Sequence, residues 1–105
     1  MQDPQQRLSA SDIAEAGLAD WQLADDALTA RFRTGSFAAG LRLVERIGAS
    51  AEAVNHHPDV LLTYPAVTVT LTSHDVGGVT IRDARLARAI SDHAAEMGIA
   101  AVDAS

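Results

Sequence analysis

Between Ser36 and Val54 apolar residues recur every three to four positions, a period that predicts the clearest helix of the chain. Ser36 is suited to cap its start, and Phe37, Leu41, Val44, Gly48, Ala51 and Val54 fall on one helical face. Gly40 and Gly48 are its weak points. Upstream, "SASDIAEAGLADW" predicts a short helix capped by Ser9 or Ser11 and stopped at Gly17. "WQLADDALTARFRT" predicts two short strands around Asp25-Asp26, with Leu28, Ala30, Phe32 and Thr34 alternating against their neighbours. Pro58 closes the long helix, because the residue before proline avoids the α region. "DVLLTYPAVTVTLTS" then holds two β-rich runs meeting near Pro65. In the second run Val67, Val69 and Leu71 share one face, and Thr68, Thr70 and Thr72 the other. "TIRDARLARAISDHAAEMG" predicts a last helix with Ile90, Ala94 and Met97 on one face and Gly98 as its stop. The order α-β-β-α-β-β-α predicts an α+β fold: a four-stranded antiparallel sheet with helices packed on one face.

Composition narrows the function classes. A chain of 105 residues suits one domain over 1–105, with a core modest enough that self-association would help it. At 48% apolar residues it is globular rather than disordered. Without cysteine it has neither a disulfide framework nor a thiolate metal site. A net charge of -6, with every basic residue a scattered arginine, argues against nucleic acid as a partner. "MQDPQQRLSA" lacks the basic and apolar regions of a signal peptide, and no apolar run reaches membrane-spanning length. The expectation is a soluble cytoplasmic protein.

Three of the four histidines stand at the two ends of one segment, "NHHPDVLLTYPAVTVTLTSHD", residues 55 to 75. If its β runs form a hairpin about Pro65, residues whose numbers sum to about 130 oppose each other. His56 then faces His74, His57 faces Ser73, and all three imidazoles gather at one end of the sheet. Glu52, four residues before His56, can reach that ring if the helix persists. Three-histidine metal sites exist, but adjacent histidines point apart, and no helical i, i+4 pair supports one here. Loop histidines with only local hydrogen bonds are the bland alternative. Metal-free acid–base chemistry is the third, since imidazoles give and take protons near neutrality. Spacing alone leaves all three open.

Glu52, His56, His57, Pro58, Tyr64, His74 and Asp83 together resemble, in type and spacing, the signature of the pterin-4a-carbinolamine dehydratases, also called 4a-hydroxytetrahydrobiopterin dehydratases. Trp21, Arg31 and Phe32, Phe37 and Ala39, Ala51 and the segment "GGVTIRDARLA" extend the resemblance from about Leu18 to about Met97. It implies the same four-stranded sheet covered on one side. It also implies loss of water from a ring carbinolamine to give a quinonoid dihydropterin, in tetrahydrobiopterin recycling, with no metal or organic cofactor. By the resemblance His56 and His74 are the principal acid–base residues, and His57 mainly binds and orients the pterin. Glu52, Ser73, Thr72 and Asp83 would complete the substrate site, and a homodimer or homotetramer with a functional link to a pterin-dependent aromatic amino-acid hydroxylase is implied.

Several residues carry a second reading. Asp83 stands three after Thr80, where it can close a helix capping box. Tyr64 reads as packing at the turn, Gly77-Gly78 as a turn or a close approach to ligand, and His93 as surface. Val60 and Pro65 depart from the family, which often has an aromatic residue and an asparagine there; the first loosens one wall of the pocket, the second alters only the turn. The alternatives to this enzyme are a non-catalytic module, such as a dimerisation cofactor or assembly factor, and a dehydratase of molybdopterin metabolism.

Overall fold

Residues 3–102 are described in a computed structural model of the chain. The elements are α1 (Ala10–Glu15), β1 (Gln22–Ala24), β2 (Ala27–Arg33), α2 (Phe37–Val54), β3 (Asp59–Leu62), β4 (Ala66–Leu71), α3 (Ile81–Glu96) and β5 (Ala100–Val102). The strands pair antiparallel in the order β1-β2-β4-β3, and β5 adds a fifth by pairing with β2. The expected sheet had four strands. β5 escapes a periodicity reading because only three residues, after the Gly98 stop, carry it.

Local chemistry sets these boundaries. Ser9, not Ser11, caps α1: its hydroxyl accepts from the Asp12 N–H at 3.1 Å, and the Asp12 carboxylate accepts from the Ser9 N–H at 2.9 Å. Asp25 and Asp26 both take positive φ, as a two-residue hairpin loop of primed type requires. Leu28, Ala30 and Phe32 lie opposite Leu71, Val69 and Val67 and are fully buried with them. Leu43, Ile47 and Ala51 of α2 and Leu86, Ala87, Ile90 and Ala94 of α3 complete that core. Trp21 sits edge-on to Phe32 with ring centroids 6.2 Å apart, and its indole N–H donates to Ser91 Oγ at 2.9 Å.

The buried face of α2 differs from the expected one. Gly40, Leu43, Ile47 and Ala51 point inward, whereas Phe37 is 50% and Leu41 46% exposed and Val54 is exposed as well. The helix carries two neighbouring apolar stripes, and the sheet selects the one that holds Gly40. A Cβ at Gly40 would stand 2.6 Å from Leu62 Cδ1, so this glycine lets α2 lie against β3 rather than interrupting the helix. Among the described residues no helix is long and apolar enough to cross a membrane.

Candidate active site

The site begins where α2 ends. Asn55 adopts the left-handed conformation, φ 51° and ψ 45°. Its N–H donates to Glu52 O at 3.3 Å, and the His56 N–H donates to Ala51 O at 3.1 Å. That pair of bonds is a Schellman closure, and asparagine tolerates the positive φ it needs. The reversal at Asn55 sends the next two side chains apart. His56 turns inward, its side chain 12% exposed, with Nε2 2.6 Å from Asp83 Oδ1. His57 turns outward, 53% exposed, and its Nε2 bonds the Glu52 carboxylate. Glu52 therefore partners His57 and not His56: the expected i, i+4 contact requires helix past Val54, and the helix stops there. An Asn55→Ala variant should unfold about 1–2 kcal/mol more easily, with Asn55→Gly close to wild type. Equal urea midpoints for the two variants would show that the left-handed turn is not what alanine disturbs.

Asp83 is the hub. It is buried, in the first turn of α3, and its Oδ2 accepts from the Thr80 N–H at 2.9 Å, the expected capping box. The same oxygen accepts from Ser73 Oγ at 2.7 Å. The Ser73 hydroxyl has one proton and gives it to Asp83, so at their 2.9 Å contact Thr80 Oγ1 is the donor. Oδ1 is left for His56. With the Asp83 carboxylate as acceptor, His56 Nε2 is the donor, and in the neutral ring Nδ1 is the nitrogen that carries the lone pair. Packing and hydrogen bonding thus fix both the orientation and the tautomer of one imidazole.

Thr72 and Ser73 were expected to offer hydroxyls to a ligand. Here Ser73 serves Asp83, and Thr72 Oγ1 donates to Asp26 O at 2.8 Å, bracing the β1–β2 turn. His74 follows on the exposed loop 74–77, which the Ser73–Gly78 bridge closes. The β3–β4 ladder runs from Asp59↔Thr70 to Leu62↔Val67, one residue off the expected register. Extended past Asp59, it would bring Ser73 rather than His74 opposite His56. Both of those residues do meet, through Asp83.

His56 also lines a cleft of about 420 Å³ between α2 and α3, with Ala53 and Val54 on one side and Arg82, Arg85 and Leu86 on the other. Arg82 Nη2 bonds both Asp75 oxygens, at 2.8 and 3.1 Å, and this hydrogen bonding holds the Asp75 carboxyl below the usual carboxylate range. Among the described residues no three His, Cys, Asp or Glu side chains converge as metal ligands would.

A family model described as Pterin 4 alpha carbinolamine dehydratase matches residues 6–93. The chain belongs to the pterin-4a-carbinolamine dehydratase family. A relative from Chloroflexus aurantiacus that carries the family's name is 41% identical over 88 residues, covering 82% of this chain and 95% of its own. One from Thermosynechococcus vestitus is 41% identical over 89 residues, 83% of this chain and 94% of its own. The crystal structure of a transcriptional coactivator/pterin dehydratase from Brucella melitensis superposes with a TM-score of 0.78 at 33% identity, over 85% of this chain and 99% of that one. A pterin dehydratase-like protein identified as a RuBisCO assembly factor in the alpha-carboxysome shares the fold at TM-score 0.58 and 18% identity, over 90% and 96%.

Of the family's signature residues, the structure joins His56 to Asp83, pairs His57 with Glu52, and sets His74 on the loop beside Ser73. Tyr64 is exposed at the β3–β4 turn instead of packing there. His93 is half-buried rather than surface: its Nε2 bonds Ser50 Oγ at 2.7 Å, between the two long helices. The cleft and its arginines were missed. Their one sequence signal is the spacing of Arg82 and Arg85, three apart on the helix that Thr80 caps.

Proposed function

We propose that this chain removes water from a pterin-4a-carbinolamine to give the quinonoid dihydropterin, by histidine acid–base catalysis. The observation that carries the reading is His56, fixed by buried Asp83 at the end of an open cleft, in a chain of this family. In the reaction the C4a–O bond breaks and the oxygen leaves as water with a proton from an acid. A base removes the N5 proton, and the C4a=N5 double bond forms. His56 and His74 are assigned these two transfers, each worth roughly 10²–10⁴ in rate. His57, steadied by Glu52, binds and orients the pterin. Such a reaction follows a pterin-dependent hydroxylase and recycles tetrahydrobiopterin, which suits a cytoplasmic enzyme. The test generates the carbinolamine in situ with a hydroxylase and follows its absorbance; a decay no faster than the spontaneous one sinks the reading.

The reading includes a homo-oligomer. Among the described residues β3 pairs only with β4, which leaves its outer edge without a strand partner there, and Leu61 on it is 61% exposed. The outer stripe of α2 adds Phe37 and Leu41, beside the Gly40 that packs on Leu62. A second copy supplies both a strand and an apolar helix face about a two-fold axis. Sedimentation should show a species heavier than the 11.0 kDa monomer, and Leu61→Arg should shift it toward monomer. A wild-type protein that sediments as monomer at micromolar concentration rules this out.

The same apolar stripe favours one further reading, a partner-binding role like that of the Brucella transcriptional coactivator. It predicts partner capture that survives His56→Ala.

A further inference from the structure

His56 and His74 are held by different means. The ring of His56 is fixed through its side chain, by Asp83. Among the described residues nothing hydrogen-bonds the ring of His74, so its position follows from the backbone of the turn 74–77. That turn is closed at its base by the Ser73 N–H on Gly78 O at 2.9 Å and the Gly78 N–H on Ser73 O at 3.3 Å. Two arginines from distant parts of the chain attach it to the fold.

Arg82, in the first turn of α3, reaches Asp75, the residue after His74: Nη2 donates to both carboxylate oxygens, at 2.8 and 3.1 Å. Its Nε donates to Thr80 Oγ1 at 3.2 Å, so the same side chain is tied to the cap of the helix whose Asp83 holds His56. Arg7 lies along Gly78, where a Cβ would stand 2.6 Å from its Nε. Its Nη2 donates to Asp26 Oδ1 at 3.3 Å, and the Leu8 N–H donates to Val79 O at 2.7 Å. Asp26 O accepts from Thr72 Oγ1, so the segment 7–8 closes a ring of contacts around the start and end of the turn. The close approach that Gly78 permits is to Arg7.

We propose that Arg82 with Asp75, and Arg7 over Gly78, are positioning residues for His74: they clamp the turn so that its imidazole keeps a fixed place relative to His56. The inference rests on the dehydratase reading and deepens it, since the clamp acts on the reaction only through His74. A displacement of about 1 Å at a reacting group can cost about 10²-fold in rate. Both ion pairs are partly exposed, so each adds little to global stability. Their loss should show in turnover rather than in unfolding.

The test follows the full chain under single-turnover conditions, with enzyme in excess over carbinolamine generated in situ. Asp75→Asn and Gly78→Ala should each lower the rate about five- to tenfold, with substrate affinity within a few-fold and the urea midpoint near wild type. The added methyl displaces only the tip of a flexible arginine, so Gly78→Ala should fold. Arg46→Gln, which removes the Arg46–Glu96 pair of the two long helices, should leave the rate unchanged. Wild-type rates in Asp75→Asn and Gly78→Ala overturn the proposal. Added to His74→Ala, Asp75→Asn should have no further effect, because no ring is left to place; an undiminished loss there shows that Asp75 acts by another route and overturns it too. Added to Arg7→Ala, Gly78→Ala should cost nothing more, and a full additional loss overturns the Arg7 contact. Amide exchange at Val76 and Gly78, whose N–H groups both donate to Ser73 O, should quicken in Asp75→Asn. Quickened exchange in a protein that shows no turnover sinks the dehydratase reading and leaves the clamp standing. Wild-type turnover with rate and exchange unchanged in the variants sinks the clamp alone.

Discussion

His56→Ala should lower kcat by about 10²–10⁴ while KM stays within a few-fold, because a proton-transfer contact acts mainly in the transition state. The structure gives this residue the properties such a role needs. Its ring is mostly buried, and its Nε2 is fixed 2.6 Å from Asp83 Oδ1. In the proposed role, Nδ1 of the neutral ring is the atom left to exchange a proton with substrate. His57 has none of these constraints beyond the Glu52 contact, and it is more than half exposed. His57→Ala should therefore raise KM with kcat close to wild type, as loss of uniform binding does. His74→Ala should follow His56→Ala. Single-turnover and steady-state rates for the three variants decide the matter. Should His57→Ala abolish turnover at unchanged KM while His56→Ala remains active, the inward and outward histidines must exchange roles.

Asp83→Ala is expected to cost about 3–5 kcal/mol of stability, as removal of one member of a buried charged network does. In a domain of this size each kcal/mol is roughly 4–8 °C in Tm. The side chain is fully buried, and alanine would strand three donors at once: the Thr80 N–H, the Ser73 hydroxyl and the His56 Nε2–H. Helix α3 would also lose its capping box. The isosteric Asp83→Asn separates folding from function. Its carbonyl oxygen can still serve Thr80 and Ser73, so urea unfolding should show a smaller loss. Its amide would point N–H groups at His56 Nε2, forcing that nitrogen to accept and moving the ring proton to Nδ1. The imidazole then presents the wrong atom to the substrate, and kcat should fall at least tenfold with a displaced pH–rate profile. Wild-type kcat in Asp83→Asn would show that Asp83 is only a helix cap and does not position His56.

Much of the fold is legible because it is periodic. The alternation of Leu28, Ala30 and Phe32, and of Val67, Val69 and Leu71, marks the two central strands and the face they bury. Thr80 and Asp83 announce the start of α3. Helix α2 is plain as a helix but ambiguous as a surface: Phe37-Leu41-Val44 is as apolar as Leu43-Ile47-Ala51, and only the position of the sheet chooses between them. The residue types of the site are legible from the family signature, and their connections are not. Sequence spacing treats His56 and His57 as neighbours of equal standing, whereas a single left-handed residue, Asn55, decides which of them meets Asp83. The cleft depends on how α2 and α3 cross, a distance that neither helix encodes alone.

The His56–Asp83 bond spans 27 residues, and the Trp21–Ser91 bond spans 70. During synthesis, then, His56 leaves the ribosome well before its carboxylate partner. A nascent chain that ends short of Asp83 can hold α2 and the β3–β4 hairpin, yet its inward histidine has nothing to turn toward, and Ser73 and Thr80 lack the acceptor that orders them. The edge of β3 is exposed throughout that interval. Assembly of the site is coupled to the arrival of the last long helix, so ribosome-bound intermediates should be foldable in part and chemically blank.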